Sequence, residues 1–185
     1  RISYLKSSRL IVNNKPKILY EKYKELVFNV ALHYTQNIED AEEITQDVFI
    51  SIFENIKDFR EESTLKTWAY RITINKSLDF LKSKKRLKRI FFFKSLKIDD
   101  QEKKISIPEI NHPGVILENK ESVNAIFNGI NKLPPKLKTV IILLKIEGKS
   151  QKETAKIMQL SVKAIESLFH RAKKKLAVIL KDNER

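Results

Sequence analysis

Apolar side chains recur every three or four positions along most of this chain, which is the period of a helix and not of a strand. From Leu19 to Tyr34, the residues Tyr20, Tyr23, Val27, Val30, Ala31 and Tyr34 mark one helix face. Pro16, just ahead, suits an early helix position, where its missing N–H costs nothing. Asn37 breaks the pattern. A second helix is expected from about Glu39, with Ala41, Ile44, Val48 and Ile52 as its stripe and Phe49, Phe53 and Ile56 widening it. Its early acids, Glu39, Asp40, Glu42 and Glu43, suit the positive end of a helix dipole. Glu43, Gln46, Asp47 and Glu54 fall largely outside the stripe. Phe59 to Lys66 reads as a polar connection. A third helix, from about Leu65, aims Trp68, Ala69, Ile72, Leu78 and Leu81 at a core and leaves Arg71, Asn75, Lys76, Asp79 and Lys82 polar.

The pattern then lapses. Lys82, Lys84, Lys85, Arg86, Lys88 and Arg89 form a basic run without an acid, and Ile90 to Gly114 shows no sustained period. A stretch that long without periodicity is unusual inside one domain and reads as a linker. Helical spacing returns from Ile116 to Leu133 and stops before Pro134-Pro135. Lys136 to Ile146 predicts another helix, ended by Gly148 as a C-terminal cap. Ser150, with Glu153 three residues on, has the spacing of a capping box for a short helix to Met158. Gln159 to Ser161 is a turn, and Val162 to Leu180 a final basic helix. The expected fold class is all-α: two small helical domains, at 16–88 and 118–182, joined by a linker at 89–117.

Composition agrees. The 185 residues include only three glycines and five prolines, too few for a turn-rich fold. With 42% hydrophobic and 32% charged residues, the chain can bury a core and stay solvated. A formal net charge of +14 points to a polyanionic partner, either nucleic acid or an anionic membrane surface. Ribosomal and other RNA-binding proteins share that property. With no cysteine, disulfides and thiolate metal sites are excluded, which fits a reducing cytoplasm. No apolar run approaches the ~20 residues that span a bilayer. Arg1 to Leu10 lacks an apolar stretch of signal-peptide length, and the chain does not begin with Met.

Short helix, three-residue turn and longer helix is the spacing of a helix-turn-helix. Ala155 supplies a small side chain where two helices approach, and Ile157, Leu160, Val162, Ile165, Leu168 and Leu176 can supply a shared core. The last helix would expose Lys163, Ser167, His170, Arg171, Lys173, Lys174 and Lys175. Such a helix can lie in a major groove, with early residues near base edges and later lysines on phosphates. A helix-turn-helix by itself is shared by many regulators.

Greater specificity comes from the motifs. Leu133-Pro134-Pro135-Lys136, Glu147-Gly148-Lys149-Ser150-Gln151-Lys152-Glu153-Thr154-Ala155, Ser161 to Ser167 and His170 to Leu176 together resemble region 4 of the extracytoplasmic-function (ECF) sigma factors. Tyr20, Tyr23, Asp40-Ala41-Glu42-Glu43, Gln46-Asp47-Val48-Phe49, Phe59, Thr67 to Ile72, Asn75, Asp79 and the basic tail to Arg86 resemble region 2 of the same family. The resemblance covers roughly 18–88 and 118–178, in the family's order.

It implies a function and a set of roles. The chain would be a sigma factor that binds core RNA polymerase, recognises −35 and −10 promoter elements and promotes DNA melting. Glu43, Gln46 and Asp47 match the face that docks on core polymerase, and carboxylates suit a basic partner surface there. The connection Arg60 to Lys66 matches the loop that receives an extruded −10 base, which offsets lost stacking. Within it Ser63 and Thr64 can hydrogen-bond the base or cap the next helix. Asn75, flanked by Arg71 and Lys76, can read a base edge in the −10 element. Lys82, Lys84, Lys85 and Arg86 would hold phosphates. Trp68 can stack on a base, although its spacing with Ile72 favours the core. Lys163, Ser167, His170, Arg171 and Lys174 are the candidate −35 contacts. Glu166 either accepts from a cytosine or restrains phosphate affinity. The acidic Asp99, Asp100 and Glu102 of the linker are compatible with mimicry of nucleic acid in polymerase channels.

No catalytic constellation, phosphate loop or metal-ligand spacing is present, so no enzyme activity and no cofactor are expected. His33, His112 and His170 fall on different elements. The expected partners are core RNA polymerase, promoter duplex, the melted −10 strand and an anti-sigma factor, in the cytoplasm. Two other readings stay open on the residues alone. One is a dimeric helix-turn-helix repressor or activator on a palindromic operator. The other is a basic RNA-binding or nuclease-like protein, which would need aromatic platforms or metal-binding carboxylates.

Overall fold

A computed structural model describes residues 2–59, 63–95 and 120–183 of the chain. Every regular element among them is helical. Three helices form the N-terminal domain: α1 (Ile2–Thr35), α2 (Ile38–Asn55) and α3 (Leu65–Ser95), with a short 3₁₀ turn at Ile56–Asp58. The C-terminal domain holds α4 (Lys120–Asn131), α5 (Pro135–Ile141), α6 (Gln151–Met158) and α7 (Val162–Asn183). A π-helical turn, Ile142–Ile146, prolongs α5.

Local chemistry sets most boundaries. Asn37 caps α2, its side chain accepting from the Asp40 N–H at 2.8 Å. Thr64, rather than Ser63, caps α3: its hydroxyl accepts from the Thr67 N–H at 3.2 Å. Ser150 and Glu153 form the expected capping box, each side chain accepting from the other's backbone N–H. Gly148 has φ +62, a left-handed value that costs a glycine nothing, and the Lys149 N–H then reaches the Leu143 carbonyl at 2.9 Å. Gln159 takes the same left-handed conformation, φ 54, at the end of α6.

Several elements depart from the sequence pattern. Pro16 lies inside α1 and not in its first turn. One backbone bond is lost there, and the helix continues on both sides. Helix α3 runs through Ser95, beyond the expected domain end at Lys88. Neither Pro nor Gly occurs between Ser83 and Ser95, so nothing stops the helix when its apolar period lapses. Val162, expected in the core, is 37% exposed because it opens α7 at the turn. The expected linker at 96–119, with Asp99, Asp100, Glu102 and His112, lies outside the described residues, as do Arg60, Glu61 and Glu62.

Two cores hold the molecule. Val27, Ala31, Ala41, Ile44, Val48, Phe49, Ile52 and Ala69 pack α1, α2 and α3 together. The second core is not confined to the C-terminal domain. Val30, Tyr34, Tyr70 and Ile74, from α1 and α3, join Leu133, Leu137, Val140, Ile142, Ile157 and Ile165 in one cluster. Fully burying an aliphatic or aromatic side chain stabilises by ~1.5–3 kcal/mol, so this shared cluster presses the two domains together. Gly129 lets α4 approach α7 closely, since a Cβ there would lie 2.9 Å from Leu176 Cδ1.

Candidate nucleic-acid interface

Capping and turn geometry place α6 and α7 as a helix-turn-helix. Buried Ala155, Ile157, Ile165 and Ala172 fix the pair against α5. The opposite side of α7 then faces solvent, and Lys163, Ser167, His170, Arg171 and Lys174 are all exposed on it. Glu166 is exposed among them. Lys173 is drawn aside, its Nζ 4.9 Å from the centre of the Phe169 ring. The candidate −35 residues are therefore brought to one open basic face.

The basic tail of α3 makes a second such surface. Lys82, Lys85, Arg86 and Arg89, with Asp79 and Ser83, line a groove of ≈ 510 Å³. Lys84 differs from its neighbours: its ammonium is paired with Asp40, at the start of α2. Its charge is already engaged, so Lys84 is a weaker phosphate contact than its place in the run suggests. The remaining −10 candidates sit where the two domains meet. Ser63, Thr64 and Arg71 line a cleft of ≈ 760 Å³ whose other wall carries Lys149, Glu153 and Lys156 of the C-terminal domain. Asn75 is exposed at the mouth of a smaller cleft of ≈ 250 Å³, opposite Pro135, Lys136 and Gln159. Lys76 is half-buried. Trp68 is half-buried too, packed at 5.2 Å on the Phe59 ring, so it serves the core of its own domain.

On α2, Glu43, Gln46 and Asp47 are exposed together. Ile50 joins them, 55% exposed, and was not singled out by the sequence pattern. Its spacing of three and four residues from Asp47 and Gln46 was the available signal.

Two family models match the chain: Sigma-70 region 2 over residues 19–87, and Sigma-70 region 4 over residues 124–176. They fall on the two helical domains in that order. The chain belongs to the ECF sigma factors of the sigma-70 family. Among curated relatives, the sigma factor is 29% identical over 164 residues to the ECF RNA polymerase sigma factor SigW of Bacillus subtilis, which covers 86% of each chain. It is 26% identical over 156 residues to the ECF RNA polymerase sigma-E factor of Escherichia coli K12, covering 84% of this chain and 81% of the relative. Its fold is similar to that of RpoE from Bartonella quintana, solved with the anti-sigma factor NepR: TM-score 0.60, 20% identity, 91% of this chain and 98% of that one. CnrH, solved with the cytosolic domain of CnrY, matches with TM-score 0.60 and 21% identity over 90% of this chain and 88% of that one.

The sigma factor also has a polar contact between its domains that the sequence pattern did not reveal. Glu147, in the loop before α6, lies between α1 and α3. Its Oε1 accepts from His33 Nδ1 at 2.8 Å and its Oε2 from the Tyr70 hydroxyl at 2.8 Å. Burial alone would push the Glu147 carboxyl up. The bonds from His33 and Tyr70, with positive charge at His33 and Lys149, outweigh it and hold the carboxyl below its usual range. Burial, then the charge of Glu147, pushes the Tyr70 hydroxyl well up, so it stays a proton donor. Lys149 lies over the same ring, 5.1 Å from its centre. Nearby, the Arg71 Nη2 donates to the Lys156 carbonyl at 2.8 Å. Lys138 of α5, 4% exposed, donates to the Tyr34 carbonyl at 2.8 Å and to Asn131 Oδ1 at 2.6 Å. Burial, helped by the charge of Lys85, pushes the Lys138 ammonium down to about 8. Glu147 and Tyr70 stand in the motifs that carry the family resemblance, but only the docking of one domain on the other gives them partners.

Among the described residues, no group of His, Asp or Glu could hold a metal, and no helix is long and apolar enough to cross a membrane.

Proposed function

We propose that this sigma factor binds core RNA polymerase through the exposed face of α2 and directs it to promoters with two readers. Glu43, Gln46, Asp47 and Ile50 form the docking face. Helix α7 lies in the major groove of the −35 element, with Ser167, His170 and Arg171 near base edges and Lys163 and Lys174 on phosphates. Asn75, Arg71, Lys76 and the Ser63–Thr64 connection take the melted −10 strand, while Lys82, Lys85 and Arg86, with Lys84 as a weaker neighbour, hold its backbone. The protein performs no chemistry of its own and works in the cytoplasm, where the polymerase is.

The observation that carries this reading is the order of parts: a region 2 domain with a basic helical tail, then a region 4 helix-turn-helix with one open basic face. Two of the similar solved structures hold an anti-sigma factor or a partner's cytosolic domain. This supports a regulator of the same kind for this chain.

Run-off transcription from a promoter library, with purified core polymerase with and without the chain, tests the proposal. Chain-dependent transcripts that share upstream −35 and −10 elements are expected. No chain-dependent transcript, together with failure to co-elute with core enzyme, would overturn it.

A further inference from the structure

The face that this reading gives to the −10 strand is not free. Helix α6 packs on α3, and the Arg71 guanidinium is spent on the Lys156 carbonyl. The Ser63–Thr64 connection looks across its cleft at Glu153, whose carboxylate repels a phosphate backbone. The −35 face of α7, by contrast, stays fully open. One reader is covered and the other is not.

What holds the cover is a small set of polar contacts on a shared apolar base. Glu147 is the only group there that bonds two elements of the N-terminal domain at once, α1 through His33 and α3 through Tyr70. We propose that the free protein is autoinhibited: its C-terminal domain closes over the −10 face and Glu147 latches it there. This proposal rests on the sigma-factor reading for the identity of the covered face.

The closed form also carries features that favour release. Arg71 Nε is buried without a partner, and Lys138 is buried with a carbonyl and an amide but no bonded carboxylate. Both are costs of closure that an open form would relieve in water or on a phosphate. An interface that joins a latch to such costs can be switched by a partner that binds only the open form, as core polymerase would.

Two variants test the latch. Glu147→Ala removes both bonds. Tyr70→Phe removes one, keeps the ring in the core and guards against a folding defect, with helix content followed by circular dichroism. Small-angle X-ray scattering of the free protein reads closure. Binding of short single-stranded DNA of randomised sequence reads access to the −10 face, and duplex binding reads α7. Apparent affinity scales with the fraction of open molecules, so breaking the latch should raise single-strand affinity ~10-fold. The radius of gyration should grow and duplex binding should stay unchanged. An unchanged radius in both folded variants overturns the latch. Expansion without gain in single-strand affinity overturns the masking. If neither wild type nor variant supports core-dependent transcription, the sigma-factor reading fails, and the scattering still judges the latch separately.

Discussion

The Tyr34 hydroxyl donates to Thr139 Oγ1 at 2.7 Å, joining the end of α1 to the middle of α5 where both side chains are buried. Burial pushes the Tyr34 hydroxyl well up, against a smaller opposite effect of the Thr139 bond, so it remains a donor at any working pH. Removing one partner strands the other in an apolar setting. Tyr34→Phe should therefore lower stability by about 1–3 kcal/mol. The double variant Tyr34→Phe with Thr139→Val, which removes both partners and keeps their shapes, should cost less than either single change. Urea unfolding of the three variants gives the comparison.

Lys138 predicts a rise of stability with pH. Its ammonium is pushed from 10.5 down to about 8 by burial and by Lys85. Above pH 8 the folded protein has released this proton while the unfolded chain still holds it. Stability should thus increase from about pH 8 toward 10.5, and below pH 8 Lys138 should add no slope. The buried tyrosines work the other way, but only once pH exceeds their ordinary value of 10. Thermal or urea unfolding from pH 7 to 10 should show the rise, and Lys138→Met should flatten it.

Salt dependence separates two neighbouring lysines. Lys85 is exposed on the basic groove, whereas Lys84 is paired with Asp40. A lysine on a phosphate adds about one unit to the slope of log affinity against log salt concentration. Lys85→Ala in the polymerase-bound protein should reduce that slope by about 1 for promoter DNA. Lys84→Ala should reduce it by less. Equal losses would show that the Asp40 pair opens on binding.

The capping box sets the stability of α6, on which the placement of α7 depends. Bonds from the Ser150 backbone, then from its hydroxyl, hold the Glu153 carboxyl below its usual range. Ser150→Ala should cost about 0.5–2 kcal/mol of domain stability. Ser150→Asp should restore most of it, since Asp caps as well as Ser. Denaturant midpoints of the two variants decide the matter.

Local chemistry was enough to read much of this protein. Asn37, Pro134-Pro135, Gly148 and the Ser150–Glu153 spacing mark helix ends because capping and turn preferences act between residues close in sequence. The helical period marks the inner faces of α1 to α3 for the same reason, and the family motifs assign the two domains. Where such signals lapse, as in the basic tail of α3, the boundary was misjudged: no Pro or Gly stood there to end the helix. The exposed face of α7 was also legible, because an amphipathic stripe fixes what lies opposite it.

Docking was another matter. His33 and Glu147 are 114 residues apart, and Tyr34 and Thr139 are 105 apart. No local preference couples positions at such separations. Each of these side chains taken alone is an ordinary surface or core residue. Their partners, the burial of Lys138 and the covering of the −10 face arise only when the second apolar cluster forms across both domains, bringing together groups that the chain itself keeps far apart.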